Sequence, residues 1–127
     1  MKEGAVVLIP LPQADGRSKP RPAVLLRKMP PFGDWLLCGV STQLHQEVVG
    51  FDEMLVPAQP DFHRCGLKAP SVIRLGFLAV LPEDQVLGML GAISSDRHRQ
   101  LLERLASFLM PTILPEGREG RRGGWKR

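Results

Sequence analysis

The spacing of apolar and polar positions changes period once along this chain, separating a strand-forming body from a helical end. The run "AVVLIPL" (residues 5–11) is rich in β-branched side chains and gives way after Pro12 to the turn-like "QADGRSKP". A second apolar run, "PAVLLRK", begins at Pro22, and a third, "WLLCGVS" from Trp35 to Ser41, follows the loop "MPPFGD". Residues 47–56, "EVVGFDEMLV", predict a weaker strand interrupted by Gly50, while "SVIRLGFLAVL" (71–81) and "VLGMLGAIS" (86–94) predict two more. Gly76 and Gly88 inside these last runs mark bulges or sharp bends. Short strands punctuated by Pro and Gly predict a mainly β fold, either a small barrel or a tightly coiled sheet.

From Ser95 the period becomes helical. Leu101, Leu102, Leu105, Phe108 and Leu109 fall at offsets of zero, one, four, seven and eight, which is one face of an amphipathic helix. Ser94 or Ser95 caps its start, Asp96 suits the first turn, and Pro111 stops it. Arg99, Glu103 and Arg104 fall off the apolar stripe and predict a solvated face.

With 127 residues, 43% apolar and 24% charged, the composition is that of one soluble domain with a modest core. The expected domain covers residues 1–110, followed by a basic Gly/Arg-rich tail, 111–127, expected to be disordered. Most of the formal charge of +4 sits in that tail: Arg118, Arg121, Arg122, Lys126 and Arg127 against Glu116 and Glu119 give +3. Such a tail serves either as a solubilising terminus or as a nonspecific phosphate contact, with Trp125 stacking on a base. Cys38 and Cys65 lie in apolar runs and are expected as reduced thiols in a cytoplasmic protein, a disulfide being the alternative. No stretch approaches bilayer length and no secretory leader precedes Pro10, so neither a membrane nor an extracellular location is expected.

Several chemistries are missing. His45, His63 and His98 are scattered, the two cysteines are 27 positions apart, and neither Cys-x-x-Cys nor His-x-x-x-His spacing occurs. No Gly-rich phosphate loop precedes a helix, and no Ser nucleophile elbow is present. The expectation is a protein working without metal or cofactor. What stands out instead is "SKPRP", Ser18 to Pro22, which holds Arg21 between two prolines. Each proline fixes φ near −65° and the second pushes Arg21 toward extended backbone, so the guanidinium leaves within a narrow cone. A preorganised cation of this kind suits a phosphodiester whose negative charge grows under attack. The plainer reading is a stiff entry into an edge strand with Arg21 merely exposed.

The opening "GAVVLIPLPQADGRSKPRPAVLL", Gly4 to Leu26, resembles the first hairpin of the MazF/PemK toxin family, with its Gly-x-Val strand, polar loop and Lys-x-Arg-Pro. "CGVSTQ" (Cys38 to Gln43) is similar to the family's third strand, which ends in a hydroxyl residue and a polar pair. "CGLKAPSVIRL" (Cys65 to Leu75) and "LGAIS" with the following helix are similar to its later segments. The likeness spans about residues 3–110.

This resemblance implies an SH3-like barrel that dimerises and cleaves single-stranded RNA without metal, the 2′-hydroxyl attacking its own phosphate to leave a cyclic phosphate and a 5′-hydroxyl. Arg21 falls on the family's essential arginine and Ser41 on its catalytic Thr/Ser. Lys19, Thr42, Gln43 and Lys68 are then expected to attract or position the RNA, and Phe32 to stack on a base. His45 and His63 are weaker candidates, each more often a loop histidine, although an imidazole suits proton transfer near neutral pH. The implied partners are single-stranded RNA, a second copy, and an antitoxin whose acidic segment covers the RNA groove, with DNA bound only through that antitoxin. The chain departs from the family at Gly76-Phe77, where a polar pair is common. That departure favours an alternative: a barrel that has lost cleavage and serves as an RNA- or protein-binding module.

Overall fold

The computed structural model describes residues 1–112, so what was expected of the basic tail falls, from residue 113 on, outside the described residues. Six strands form one antiparallel sheet: β1 Ala5–Pro12, β2 Ser18–Met29, β3 Asp34–Ser41, β4 Glu53–Leu55, β5 Ser71–Leu81 and β6 Gly88–Ala92. Their order across the sheet is β4–β5–β3–β2–β1–β6, and the helix α1, Ser95–Leu109, packs on one face. This is the mainly β, SH3-like barrel architecture with a C-terminal helix that the sequence predicts. No helix among the described residues is long and apolar enough to cross a membrane.

The central strands are apolar on both faces because both faces are covered. Val24 and Leu26 of β2, with Cys38 and Val40 of β3, join Ile73, Leu75 and the helix residues Leu101 and Leu105 in the main core. Ala23 and Leu25, with Leu37, Trp35, Val7 and Ile9, point the other way into a second, smaller core. Register slips at Val6/Val7, Leu25/Arg27 and Cys38/Gly39 bend the sheet into its barrel curve. Both cysteines are buried and unpaired. Burial pushes the Cys38 thiol up to about 12 and that of Cys65 to about 11, so neither is a nucleophile at neutral pH.

Several elements differ from expectation. "SKPRP" is strand, not loop: Pro12 to Leu8 pair with Ser18 to Pro22. Leu25 offers its carbonyl to Gly4 of the β1 side, so odd positions of β2 bond toward β1 and the N atoms of Pro20 and Pro22 face the other edge. There β3 has already ended its pairing, at Ala23↔Gly39, and no ladder hydrogen bond is lost to the prolines. The weak strand expected over 47–56 shrinks to Glu53–Leu55, since Val48 to Gly50 are exposed in a turn. In the helix, Ser94 is the N-cap, accepting from the Arg97 N–H at 3.1 Å. The apolar stripe is buried only at Leu101 and Leu105, whereas Phe108 and Leu109 are exposed. Arg104 is not on a solvated face; it donates to the Asp52 carbonyl at 2.9 Å and pairs with Glu53.

A 3-10 turn, His63–Cys65, seats on the edge strand β6 through glycine contacts. A Cβ at Gly91 would overlap the Arg64 carbonyl oxygen, and one at Gly66 the Leu90 carbonyl. Backbone cannot yield as a side-chain tip does. Gly91→Ala is therefore expected to lower unfolding free energy by about 3 kcal/mol, the upper end of overpacking costs, as read from urea denaturation midpoints.

Candidate functional site

The second core opens into a hollow at one end. On the face that carries Val7, Leu25 and Leu37, the residues farther along each strand become Ile9 and Leu11, Ala23 and Arg21, Gly39 and Ser41. Large apolar side chains give way to small and polar ones. The space left is a hollow of about 470 Å³, closed on the far side by Arg74 and Phe77 of β5 and by the loop Leu67–Ala69. Arg21, Lys68 and Arg74 all line it, and no carboxylate does.

Each cation is placed by a different element. Arg21 stands on β2 opposite Ile9, exposed, and makes no ion pair among the described residues. Arg74 pairs with Gly39 across the β3–β5 ladder. Its Nε is buried with no hydrogen-bond partner, a cost of order 1–3 kcal/mol that an incoming anion would relieve. Ser41, the last residue of β3, accepts a hydrogen bond from the Gln43 N–H at 3.0 Å. Because that contact uses an oxygen lone pair, the Ser41 hydroxyl proton is left to donate. Two guanidiniums, an ammonium and a hydroxyl donor around one cavity make an anion-binding site suited to phosphate.

A larger hollow, about 580 Å³, lies between β4, the segment Gln59–Asp61 and α1. Its central charges are paired through Arg97. Arg97 donates to Asp61 at 2.8 and 3.1 Å, to Glu53 at 2.8 Å, and to Gln59 and the Met54 carbonyl at 3.1 Å. Those bonds occupy the whole guanidinium fork, and the Arg97 hydrogen bond holds the Asp61 carboxyl down at about 2. This network clamps the helix to the sheet and leaves the Arg97 guanidinium no donor free for a ligand. Among the described residues no group of three or more His, Cys, Asp or Glu is placed to hold a metal ion.

The family model of PemK-like, MazF-like toxins of type II toxin–antitoxin systems matches residues 2–109. The chain belongs to this family. Comparison with curated proteins finds no match. PemK/MazF-like toxins act opposite a protein antitoxin and are generally RNA-cleaving endoribonucleases, which makes the cationic hollow the first place to look for an RNA site.

The structure brings together Arg21, Ser41, Thr42, Gln43 and Lys68, all of which line that hollow. Lys19 shares the Arg21 face, two positions along β2, but stands at its exposed rim opposite Leu11. His45 lies exposed in the 3-10 turn Leu44–Gln46, whose neighbour Gln46, not His45, reaches the hollow. His63 is exposed on the 3-10 turn His63–Cys65 with its ring edge-on to Phe62, outside the lining. Phe32 sits in the β2–β3 turn at the far end of β2, eight residues from Met29 back to Arg21, or roughly 26 Å of strand. It is 86% exposed and lies outside the hollow's lining, at the opposite end of the long strand β2. Arg74 and Phe77 were not singled out by the sequence as site residues. A lone arginine inside the apolar run "SVIRL" was the available signal for the first; nothing in the alternation signals the second.

Proposed function

We propose that this chain is a metal-independent endoribonuclease, the cytoplasmic toxin of a type II pair, cutting single-stranded RNA within the cationic hollow. In this reading the ribose 2′-oxygen gives up its proton to water and attacks the adjacent phosphorus, the bond from phosphorus to the 5′-oxygen breaks, that oxygen takes a proton from water, and the products carry a 2′,3′-cyclic phosphate and a 5′-hydroxyl. The observation that carries it is that Arg21 and Ser41, far apart in sequence, line one cavity with Arg74 and without a carboxylate. Arg21 binds the equatorial oxygens of the phosphorane, and Arg74 adds a second fork. Ser41 donates its proton to a nonbridging oxygen, while Thr42, Gln43 and Lys68 hold the strand along the rim. A guanidinium stays protonated in proteins, so Arg21 serves as a fixed positive charge and not as a free base. The lining contains no imidazole or carboxylate, and the acceleration asked of this site is accordingly electrostatic.

The partners in this reading are a second copy of the chain and an antitoxin whose acidic segment fills the hollow, DNA being reached only through the antitoxin. Leu87 and Met89, both more than half exposed along the β6 edge, supply apolar surface for such an assembly. The test is incubation of purified chain with a long single-stranded RNA in EDTA, followed by end analysis. Fragments with 5′-hydroxyl and cyclic phosphate ends are expected. RNA retained on the chain but left intact would instead favour the binding-module alternative that Gly76-Phe77 suggests.

A further inference from the structure

Phe77 is an aromatic residue that belongs to neither core. It is half-buried, lines the cationic hollow, and lays its ring across Gly39 of β3, where a Cβ would meet the Phe77 Cγ at 3.2 Å and Cδ2 at 3.4 Å. Regular strand geometry would not put it there. Arg74 and Phe77 are three positions apart, and alternation sends such residues to opposite faces of a sheet. Both nevertheless line one hollow, because the ladder slips between them: Gly39 pairs with Arg74, while its neighbour Cys38 pairs with Leu78. Leu75, Gly76 and Phe77 are left without partners in β3. The buried carboxylate of Asp52 takes over the orphaned bond, accepting from the Leu75 N–H at 3.0 Å and from the Val48 N–H at 2.9 Å. A bulge beside a functional site commonly re-aims a side chain. This one turns an aromatic ring into a phosphate-binding cavity.

Phosphate alone gives no reason for a ring at that place. Ile9, Leu11, Pro22 and Leu67 add apolar surface to the lining beside Phe77, and Ile9 pairs directly with Arg21 across the ladder. A cavity that sets apolar and aromatic surface next to guanidiniums matches a nucleotide, which is anionic at its phosphate and flat and apolar at its base. We infer that Phe77 is a stacking platform for one unpaired RNA base adjoining the phosphodiester that Arg21 holds. The inference rests on the reading of the hollow as an RNA-cleavage site. In a duplex each base already has neighbours on both faces, so the platform also disfavours double-stranded RNA.

A phenylalanine laid over a glycine on the next strand can also stabilise the sheet by itself, and the experiment separates the two roles. The cleaved linkage is mapped on a defined transcript. An RNA oligonucleotide spanning it is then prepared unmodified and with an abasic ribonucleotide in turn at each position flanking the linkage. Phe77→Leu keeps an apolar cover over Gly39 but removes the flat face; it is expected to raise KM about ten- to hundredfold. Its kcat should change less than about threefold, and Phe77→Trp should restore KM. One abasic substitution should produce the same loss in the wild type and add nothing further in Phe77→Leu. A cutting Phe77→Leu variant with unchanged KM, or abasic losses equal in both proteins, overturns the stacking role while leaving the proposed function standing. Wild-type chain that cuts no RNA overturns that function, and the stacking with it.

Discussion

Arg21→Ala is expected to reduce kcat/KM for single-stranded RNA by about 10³-fold or more, corresponding to about 4 kcal/mol of transition-state stabilisation. The expected loss is large because nothing else in the hollow replaces the group. Arg74 lines the hollow from β5 and Lys68 from a loop, so neither can move onto the β2 side without rebuilding the sheet. The fold should not notice the change. Arg21 is exposed, forms no ion pair among the described residues, and lies beyond the last β2–β3 pair. Its neighbours Pro20 and Pro22 keep the backbone extended whatever side chain stands between them. Melting temperature within a degree or two of the wild type is therefore expected alongside the lost cleavage. Arg21→Lys should recover only a small part of the rate, since an ammonium offers charge without the planar fork that spans two phosphate oxygens. Persistent cutting by Arg21→Ala in a preparation free of other nucleases would remove the mechanism, even if the family assignment stands.

How much of this was legible in the chain depended on what each element's pattern reports. The β5 run was readable to its ends, because its residues read as a strand whichever face they take. The helix was readable for the same reason, and its cap and its stop fall within a residue of where the periodicity puts them. Ser18 to Pro20 were read with the turn "QADGRSKP" because prolines normally punctuate a strand; here the N atoms of Pro20 and Pro22 face an edge that β3 has left vacant. Arg104 was misread as solvated because a helical wheel shows only its distance from the apolar stripe, not the Phe51 and Asp52 carbonyls waiting on the neighbouring loop. For the site, residue chemistry alone left Arg21 balanced between an exposed strand entry and a phosphate ligand. The likeness to PemK/MazF toxins tied it to Ser41, and the shared hollow is where the two meet. The likeness marked Gly76-Phe77 only as a departure from a common polar pair, and neither route gave the direction of Phe77. Its inward direction comes from a three-residue slip in pairing, and a slip between two distant strands leaves no mark in the local alternation.

Arg97→Met is expected to be among the most damaging single changes to stability outside the cationic hollow. Arg97 is 12% exposed and its partners Glu53 and Asp61 are each 6% exposed, so removing the guanidinium strands two carboxylates in a dry setting. Breaking such a buried pair costs about 3–5 kcal/mol, a large share of the ~5–15 kcal/mol that holds a domain folded. For a chain of this length that corresponds to a fall in melting temperature of about 10–20 °C. The Glu53 Oε2 already lacks a hydrogen-bond partner and has only the longer 3.4 Å approach of Arg104, which cannot make good the loss. Acid behaviour gives a second, independent readout. Asp61 is held down at about 2 by its hydrogen bond from Arg97, against an ordinary carboxyl near ~4. A depressed carboxyl contributes stability in full above the unfolded value, and that contribution is lost as pH falls through the folded one. The wild type should therefore lose stability between about pH 4 and pH 2 through this pair, whereas Arg97→Met, starting lower, should show a flatter limb there. Restoring a partner-free core with Arg97→Met, Glu53→Gln and Asp61→Asn together should recover part of the loss measured for Arg97→Met alone, since the penalty lies in the unpaired charges. Equal melting temperatures for the wild type and Arg97→Met would mean that water reaches the Glu53 and Asp61 carboxylates as soon as the guanidinium is gone, and that the helix is held by Leu101 and Leu105 without the clamp.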